Sequence, residues 1–190
     1  SRVAAAWRRA GEAVAVVSRS AERARQLAAE GYQAVVADVT EADSLCGLPP
    51  AETVLYAVGF DRSSGKAMRE IYVAGLENVL HALQLQSGGP QKLIYISTTG
   101  VYGALSGEVT ETSLCQPTRE GGKVCLEAEQ VLRNHPLGER SVILRLAGIY
   151  GPGRVPNRQA LLAGEPLAVA AESRLNLIHV DDACSAVLAA

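Results

Sequence analysis

Short, unbroken apolar runs alternate along this chain with longer stretches in which apolar residues recur every three or four positions. Val3, Ala6, Trp7 and Ala10 stand at helical spacing and Gly11 stops them, so the chain opens on a helix. Residues 13–17 follow as a β-branched run, residues 22–30 as a charged helix closed by Gly31, residues 34–37 as a second strand and residues 53–57 as a third. Across residues 67–85 the positions Met68, Ile71, Tyr72, Gly75, Val79, Leu80 and Leu83 share one face, which predicts a single long amphipathic helix. It leads through Ser87-Gly88-Gly89-Pro90 into a strand at residues 93–96. Residues 118–133 predict another helix, with Val124, Cys125, Ala128, Val131 and Leu132 towards the core, then residues 141–146 a strand and residues 181–190 an apolar helix.

Strands that read as continuous apolar runs are buried on both faces, and strand-helix-strand spacing this short forces crossover connections. The expected architecture is an α/β doubly wound sheet, with residues 14–17, 34–37, 54–57, 93–96 and 142–146 parallel and central. Residues 1–190 form one domain without repeats or linkers. No strand precedes the first helix and no GxGxxG occurs anywhere, so the usual phosphate-binding turn has no counterpart in this sequence. In such a sheet ligands bind at the carboxyl ends of the strands, which directs attention to the loops after Val17, Ala37, Ala57, Ile96 and Leu146.

Composition narrows the chemistry. Lys and Arg total 18 against 20 Asp and Glu, a formal net charge of -2, which leaves no basic excess for a phosphate backbone and argues against nucleic acid as a partner. The apolar runs are strand-length, far short of the roughly 18 residues of a membrane helix. Cys46, Cys115, Cys125 and Cys184 form no CxxC pair and no Cys/His cluster at metal-ligand spacing, so reduced thiols in a cytoplasm, and no metal, are expected. Neither a GxSxG elbow nor an HExxH motif supports a hydrolase.

Three strand-end loops carry candidate binding residues. After the first strand stand Ser18 and Arg19, where a site for an unphosphorylated ribose would place a carboxylate; a guanidinium and hydroxyl suit a 2′-phosphate instead, although Arg19 reads equally well as a solvated surface residue. After the second, Asp38 could accept from an adenine amino group while Val39 packs the ring, but a helix N-cap explains Asp38 or Thr40 at least as well. After the third, Ala57, Val58 and Gly59 are small enough for close approach of a cofactor, or simply fit a tight turn.

The segment Leu93-Ile94-Tyr95-Ile96-Ser97-Thr98-Thr99-Gly100-Val101-Tyr102-Gly103, with Lys123 and Glu127 downstream, resembles the extended short-chain dehydrogenase/reductase family of NAD(P)-dependent epimerases and dehydratases. Leu144-Arg145-Leu146-Ala147-Gly148-Ile149-Tyr150-Gly151-Pro152-Gly153 and Ile178-His179-Val180-Asp181-Asp182-Ala183 continue the likeness in order over essentially the whole chain. The resemblance implies a Rossmann-like fold that here lacks its first strand and glycine-rich loop, with a C-terminal substrate lobe also absent. It implies an NAD(P) cofactor, for which Ser18 and Arg19 favour NADP with NAD as the other candidate, and a small, nucleotide-linked substrate, and it leaves a homodimer open.

In that family a Tyr passes a proton while hydride moves to or from the nicotinamide, a Lys lowers the Tyr pKa and holds the ribose, and a Ser or Thr binds the substrate oxygen. Thr98 matches the Ser/Thr and Lys123 the Lys, so both are expected to be catalytic, with Lys123 also on the cofactor. The Tyr position, four residues before Lys123, is Arg119, which stays charged and cannot be the acid/base, though it could steady an oxyanion. Tyr72 stands where the family usually has an Asn. By the same resemblance Ala147 lines the cofactor site, and Thr99 and Arg174 face the substrate. The altered dyad admits two readings: an atypical oxidoreductase or epimerase, or a catalytically silent NADP(H)-binding sensor or scaffold.

Overall fold

A computed structural model describes residues 1–104, 107–167 and 175–190. Helix α1 spans Arg2–Arg9, opened by the Ser1 hydroxyl, which accepts from the Ala4 N–H, and closed by Gly11 at a φ of 91°. Strand β1 (Ala15–Ser18), helix α2 (Ala21–Ala29) and strand β2 (Gln33–Val36) then form one βαβ unit, with Ala15 opposite Gln33 and Ser18 opposite Val36 in a parallel pair. Strand β3 (Thr53–Tyr56), helix α3 (Gly75–Gln84), strand β4 (Lys92–Thr98), helix α4 (Glu120–Asn134) and strand β5 (Ser141–Leu146) repeat the pattern in a second parallel sheet of order β3-β4-β5.

All five anticipated strands are present within one or two residues, and every pair among them is parallel. They do not make one continuous ladder. Among the described residues β1 and β3 share no backbone hydrogen bonds, and Val17 and Val36 are half exposed. The two sheets are joined through side chains instead. On one side α1 sends Val3 into a cluster with Ile94 and Val187 and Ala4 into a second with Leu27 and Tyr32. On the other, Val35, Ala37 and Val39 pack into the main core of Leu45, Tyr56, Leu76, Leu80, Leu93, Tyr95 and Leu132. Strand β4 feeds both sides, with Leu93 and Tyr95 in the main core and Ile94 and Ile96 in the Val3 cluster, as a strand covered on both faces must.

The long helix anticipated over residues 67–85 is interrupted by a π-helical turn at Glu70–Ala74 before α3 begins. Gly75, the next residue, lies so close to Val39 that a Cβ there would fall 2.7 Å from its Cγ2, so this helix is pressed against the loop that ends β2. A third, two-stranded parallel sheet of β6 (Gly148–Tyr150) and β7 (Leu177–His179) flanks the short helix α5 (Arg158–Ala163). The chain closes with helix α6 (Val180–Ala189), capped by His179 Nδ1 accepting from the Asp181 N–H at 3.3 Å. Strands of three residues carry too little periodicity to be read from sequence.

Candidate active site

The loops that follow β1, β2 and β3 converge. Five of the anticipated cofactor residues, Arg19, Asp38, Val39, Val58 and Gly59, line one small cleft of about 30 Å³, together with Thr40, Lys66 and Ile71. Asp38 Oδ1 accepts from the Thr40 N–H at 2.9 Å and from its hydroxyl at 2.8 Å, a local turn; the helical turn that follows takes Glu41 as its N-cap, not the anticipated Asp38 or Thr40, and has no side-chain capping bond. Partial burial pushes the Asp38 carboxyl up, but the two Thr40 bonds with the charges of Lys66 and Arg19 outweigh it and leave it below the ordinary value.

Lys66 was not singled out by the sequence. It comes from the segment between β3 and the π turn, donates to Thr40 Oγ1 and reaches Glu41 at 3.2 Å and Glu70 at 3.7 Å. The Glu41 hydrogen bond, with the surrounding carboxylates, holds its ammonium above the ordinary value. Arg19 Nη2 donates to Asp61 Oδ2 at 2.9 Å, with both side chains about half exposed. Asp61 Oδ1 is anchored by the Ser63 N–H at 3.0 Å and the Ser63 hydroxyl at 2.6 Å, and these bonds with Arg19 pull its carboxyl down to about 2. Ser18 turns its hydroxyl onto Ser20 N and O, shaping the loop before α2, and Ala57 is exposed just outside the cleft lining.

The second cluster lies at the carboxyl end of β4. Thr98 Oγ1 accepts from the Gly100 N–H at 3.1 Å, and Thr99 Oγ1 accepts from Asn176 Nδ2 at 2.9 Å. The first turn of α4 rests on this loop at Gly122, where a Cβ would fall inside the van der Waals shell of the Gly100 carbonyl oxygen. Arg119 is the N-cap residue of α4 and makes no capping hydrogen bond through its side chain. Lys123 is exposed. Gly121, Cys125 and Glu129, spaced four apart, share one face of α4, from which Glu129 reaches Ser97 of β4 and Arg145 of β5. Tyr72 lies in the π turn, half-buried, its hydroxyl oxygen accepting from the Phe60 N–H at 2.9 Å; burial raises its pKa. Burial likewise raises the Cys125 thiol, and the Glu129 charge adds to it. Ala147 follows β5 and is half-buried, whereas Arg174 lies outside the described residues.

Beneath the Thr98 loop sits a buried ion network. Glu129, 1% exposed, accepts from Ser97 Oγ at 2.6 Å and from Arg145 at 2.6 and 2.9 Å, and Arg145 Nη1 donates to the Tyr102 hydroxyl at 2.8 Å. Tyr102 is thereby committed to the scaffold, and Tyr150 packs edge-on against His179 at 5.2 Å between ring centres. The network ties α4, β4, β5 and the Val101-Tyr102 turn together. Its signal was in the sequence: Glu129 shares the core face with Cys125 and Leu132, and Arg145 interrupts an otherwise apolar strand.

Parallel strands wound by helices on both faces, with a cleft across the ends of β1, β2 and β3, define a Rossmann-like α/β protein. The chain belongs to the NAD dependent epimerase/dehydratase family, whose model matches residues 1–190. Protein YeeZ of Escherichia coli K12 is 42% identical over 96 residues, half of this chain and 34% of that protein, so the match spans about a third of the curated relative's length. A Methylobacillus flagellatus protein assigned to the NAD-dependent epimerases/dehydratases is 30% identical with a TM-score of 0.65, over 93% of this chain and 68% of that one. The dTDP-glucose 4,6-dehydratase DesIV of Streptomyces venezuelae, solved with NAD bound, shares the fold at a TM-score of 0.73 and 22% identity, over 93% and 62% of the two chains. Among the described residues no helix is long and apolar enough to cross a membrane.

Proposed function

We propose that this protein is an atypical NADP-dependent oxidoreductase or epimerase acting on a small, nucleotide-linked substrate. The observation that carries the reading is the cleft, where Arg19, Asp38, Val39, Val58 and Gly59 stand together. Asp38 and Val39 suit the adenine, Arg19 with Ser18 the 2′-phosphate, and Ala57 and Gly59 the close approach of the dinucleotide along β3. In this proposal Ala147 and Lys123 extend the cofactor site, while Thr98, Thr99 and Arg174 face the substrate.

The cofactor would supply the hydride chemistry. The chain's own part is to hold a substrate oxygen at the Thr98 hydroxyl and to steady developing negative charge with Arg119 and Lys123. Arg119 remains a fixed cation at any working pH, so the proton travels by another route than a Tyr-Lys dyad. One observation favours the sensor reading: among the described residues neither Arg119 nor Lys123 takes part in any of the ion pairs that organise the surrounding loops.

Isothermal titration of NADP and NAD against the protein and its Arg19→Ala variant tests the cofactor assignment. Tighter binding of NADP, lost in the variant, is expected. Equal affinity for the two cofactors in the wild type would overturn the preference. Tight NADP binding without turnover of any nucleotide-linked carbonyl substrate would leave the sensor reading in its place.

A further inference from the structure

We infer that Asp61 is a specificity-determining residue of the cleft, an internal counter-anion that a ligand's phosphate must displace from Arg19. The inference rests on reading the cleft as an adenosine site. Cation supply there is small and already committed: Lys66 is shared among Thr40, Glu41 and Glu70, and Arg19 faces Asp61. Asp38 adds a fourth carboxylate among the lining residues and their immediate partners. Two cations thus meet four carboxylates, Asp38, Glu41, Asp61 and Glu70, so a phosphate arriving at Arg19 enters a field that is net negative.

Asp61 differs from the other three in how it is held. Its Oδ1 is fixed by the backbone N–H and the hydroxyl of Ser63, which aims Oδ2 at the guanidinium. The ion pair spans 42 residues of sequence and bridges the loop after β1 to the loop after β3, across strand ends that share no backbone ladder. A carboxylate fixed in this way competes with a phosphate for the same donors, because a guanidinium hydrogen-bonds both groups in the same planar geometry. A nucleoside without a 2′-phosphate does not need those donors and is indifferent to Asp61. Asp61 therefore lowers the preference for a 2′-phosphorylated cofactor below what Arg19 alone would confer, and the Arg19–Asp61 pair must open when such a cofactor binds.

The test uses adenosine 2′,5′-bisphosphate and 5′-AMP as probes, titrated into the 15N-labelled chain and followed by NMR, which reads weak binding directly. Asp61→Asn is expected to tighten adenosine 2′,5′-bisphosphate by about two- to fivefold, the scale of a half-exposed charge interaction, and to leave 5′-AMP unchanged within error. Ser63→Ala, which frees the Asp61 carboxylate without removing its charge, should move the bisphosphate in the same direction by less. Arg19→Ala combined with Asp61→Asn should abolish the gain. If the wild type prefers the bisphosphate and Asp61→Asn leaves that preference unchanged or weakens it, the inference fails while the cofactor reading stands. If neither probe perturbs residues 38–40 or 58–59 in any variant, the adenosine reading of the cleft fails and takes the inference with it.

Discussion

Removing the Glu129 carboxylate should cost this domain a large share of its stability. Glu129 and Arg145 expose 1% and 13% of their side chains, so among the described residues Glu129→Ala would leave a nearly buried guanidinium with only the Tyr102 hydroxyl as partner, and Ser97 Oγ with no acceptor. Stranding one member of a buried pair typically costs about 3–5 kcal/mol, against a total of about 5–15 kcal/mol for a domain. Arg133, 58% exposed at 3.4 Å, returns to water and adds little. Replacing both partners by apolar side chains behaves differently, because the desolvation cost of two charges disappears with them. Glu129→Met combined with Arg145→Met should therefore cost less than Glu129→Ala alone. Urea unfolding followed by far-UV circular dichroism and by Trp7 fluorescence measures both. A Glu129→Ala loss below about 1 kcal/mol, or a double variant as costly as the two single ones added, would refute the reasoning.

The same carboxyl predicts a pH dependence: burial raises its pKa, yet the Arg145 and Ser97 hydrogen bonds and the Arg145 and Arg133 charges overcome this and leave it below its ordinary 4.5. Its contribution is then complete above the unfolded-state pKa and is lost as pH falls through the folded one, so wild-type stability should drop more steeply below about pH 4 than that of Glu129→Gln, and parallel acid titrations would contradict this. Gly122→Ala should push α4 off the Gly100 carbonyl and lower stability by about 1–3 kcal/mol, measurable by the same urea unfolding, whereas a neutral result would mean that the loop shifts freely. Arg119→Tyr places a hydroxyl four residues before Lys123; if the proposed oxidoreductase lacks only that group, turnover of a carbonyl substrate with NADPH should rise, and no activity in either form despite tight NADPH binding favours the sensor. If the proton instead passes through a displaced tyrosine, Tyr102→Phe or Tyr150→Phe should alter the pH profile of turnover, and unchanged profiles exclude that route.

Local pattern carried most of the fold. The boundaries of β5 follow from an apolar run broken by Arg145, and Gly11 and Gly31 mark where the first two helices end, because these preferences are set by a residue's own backbone and its neighbours within one turn. The parallel pairing followed from the same information, since buried strands separated by one helix have few ways to join. The strand-end loops were legible as well, and five of their residues do meet in one cleft. Where the π turn interrupts the long helix was not, because seven apolar positions over nineteen residues tolerate one extra residue per turn without losing their face. What only the tertiary structure decided is which charges answer one another: Arg19 with Asp61, Lys66 with Glu41, and Arg145 with Glu129. These partners lie 42, 25 and 16 residues apart, and no local periodicity encodes such distances. A charged side chain alone in sequence is equally at home in water; its role appears only when packing fixes the carboxylate it must face and the water it must lose.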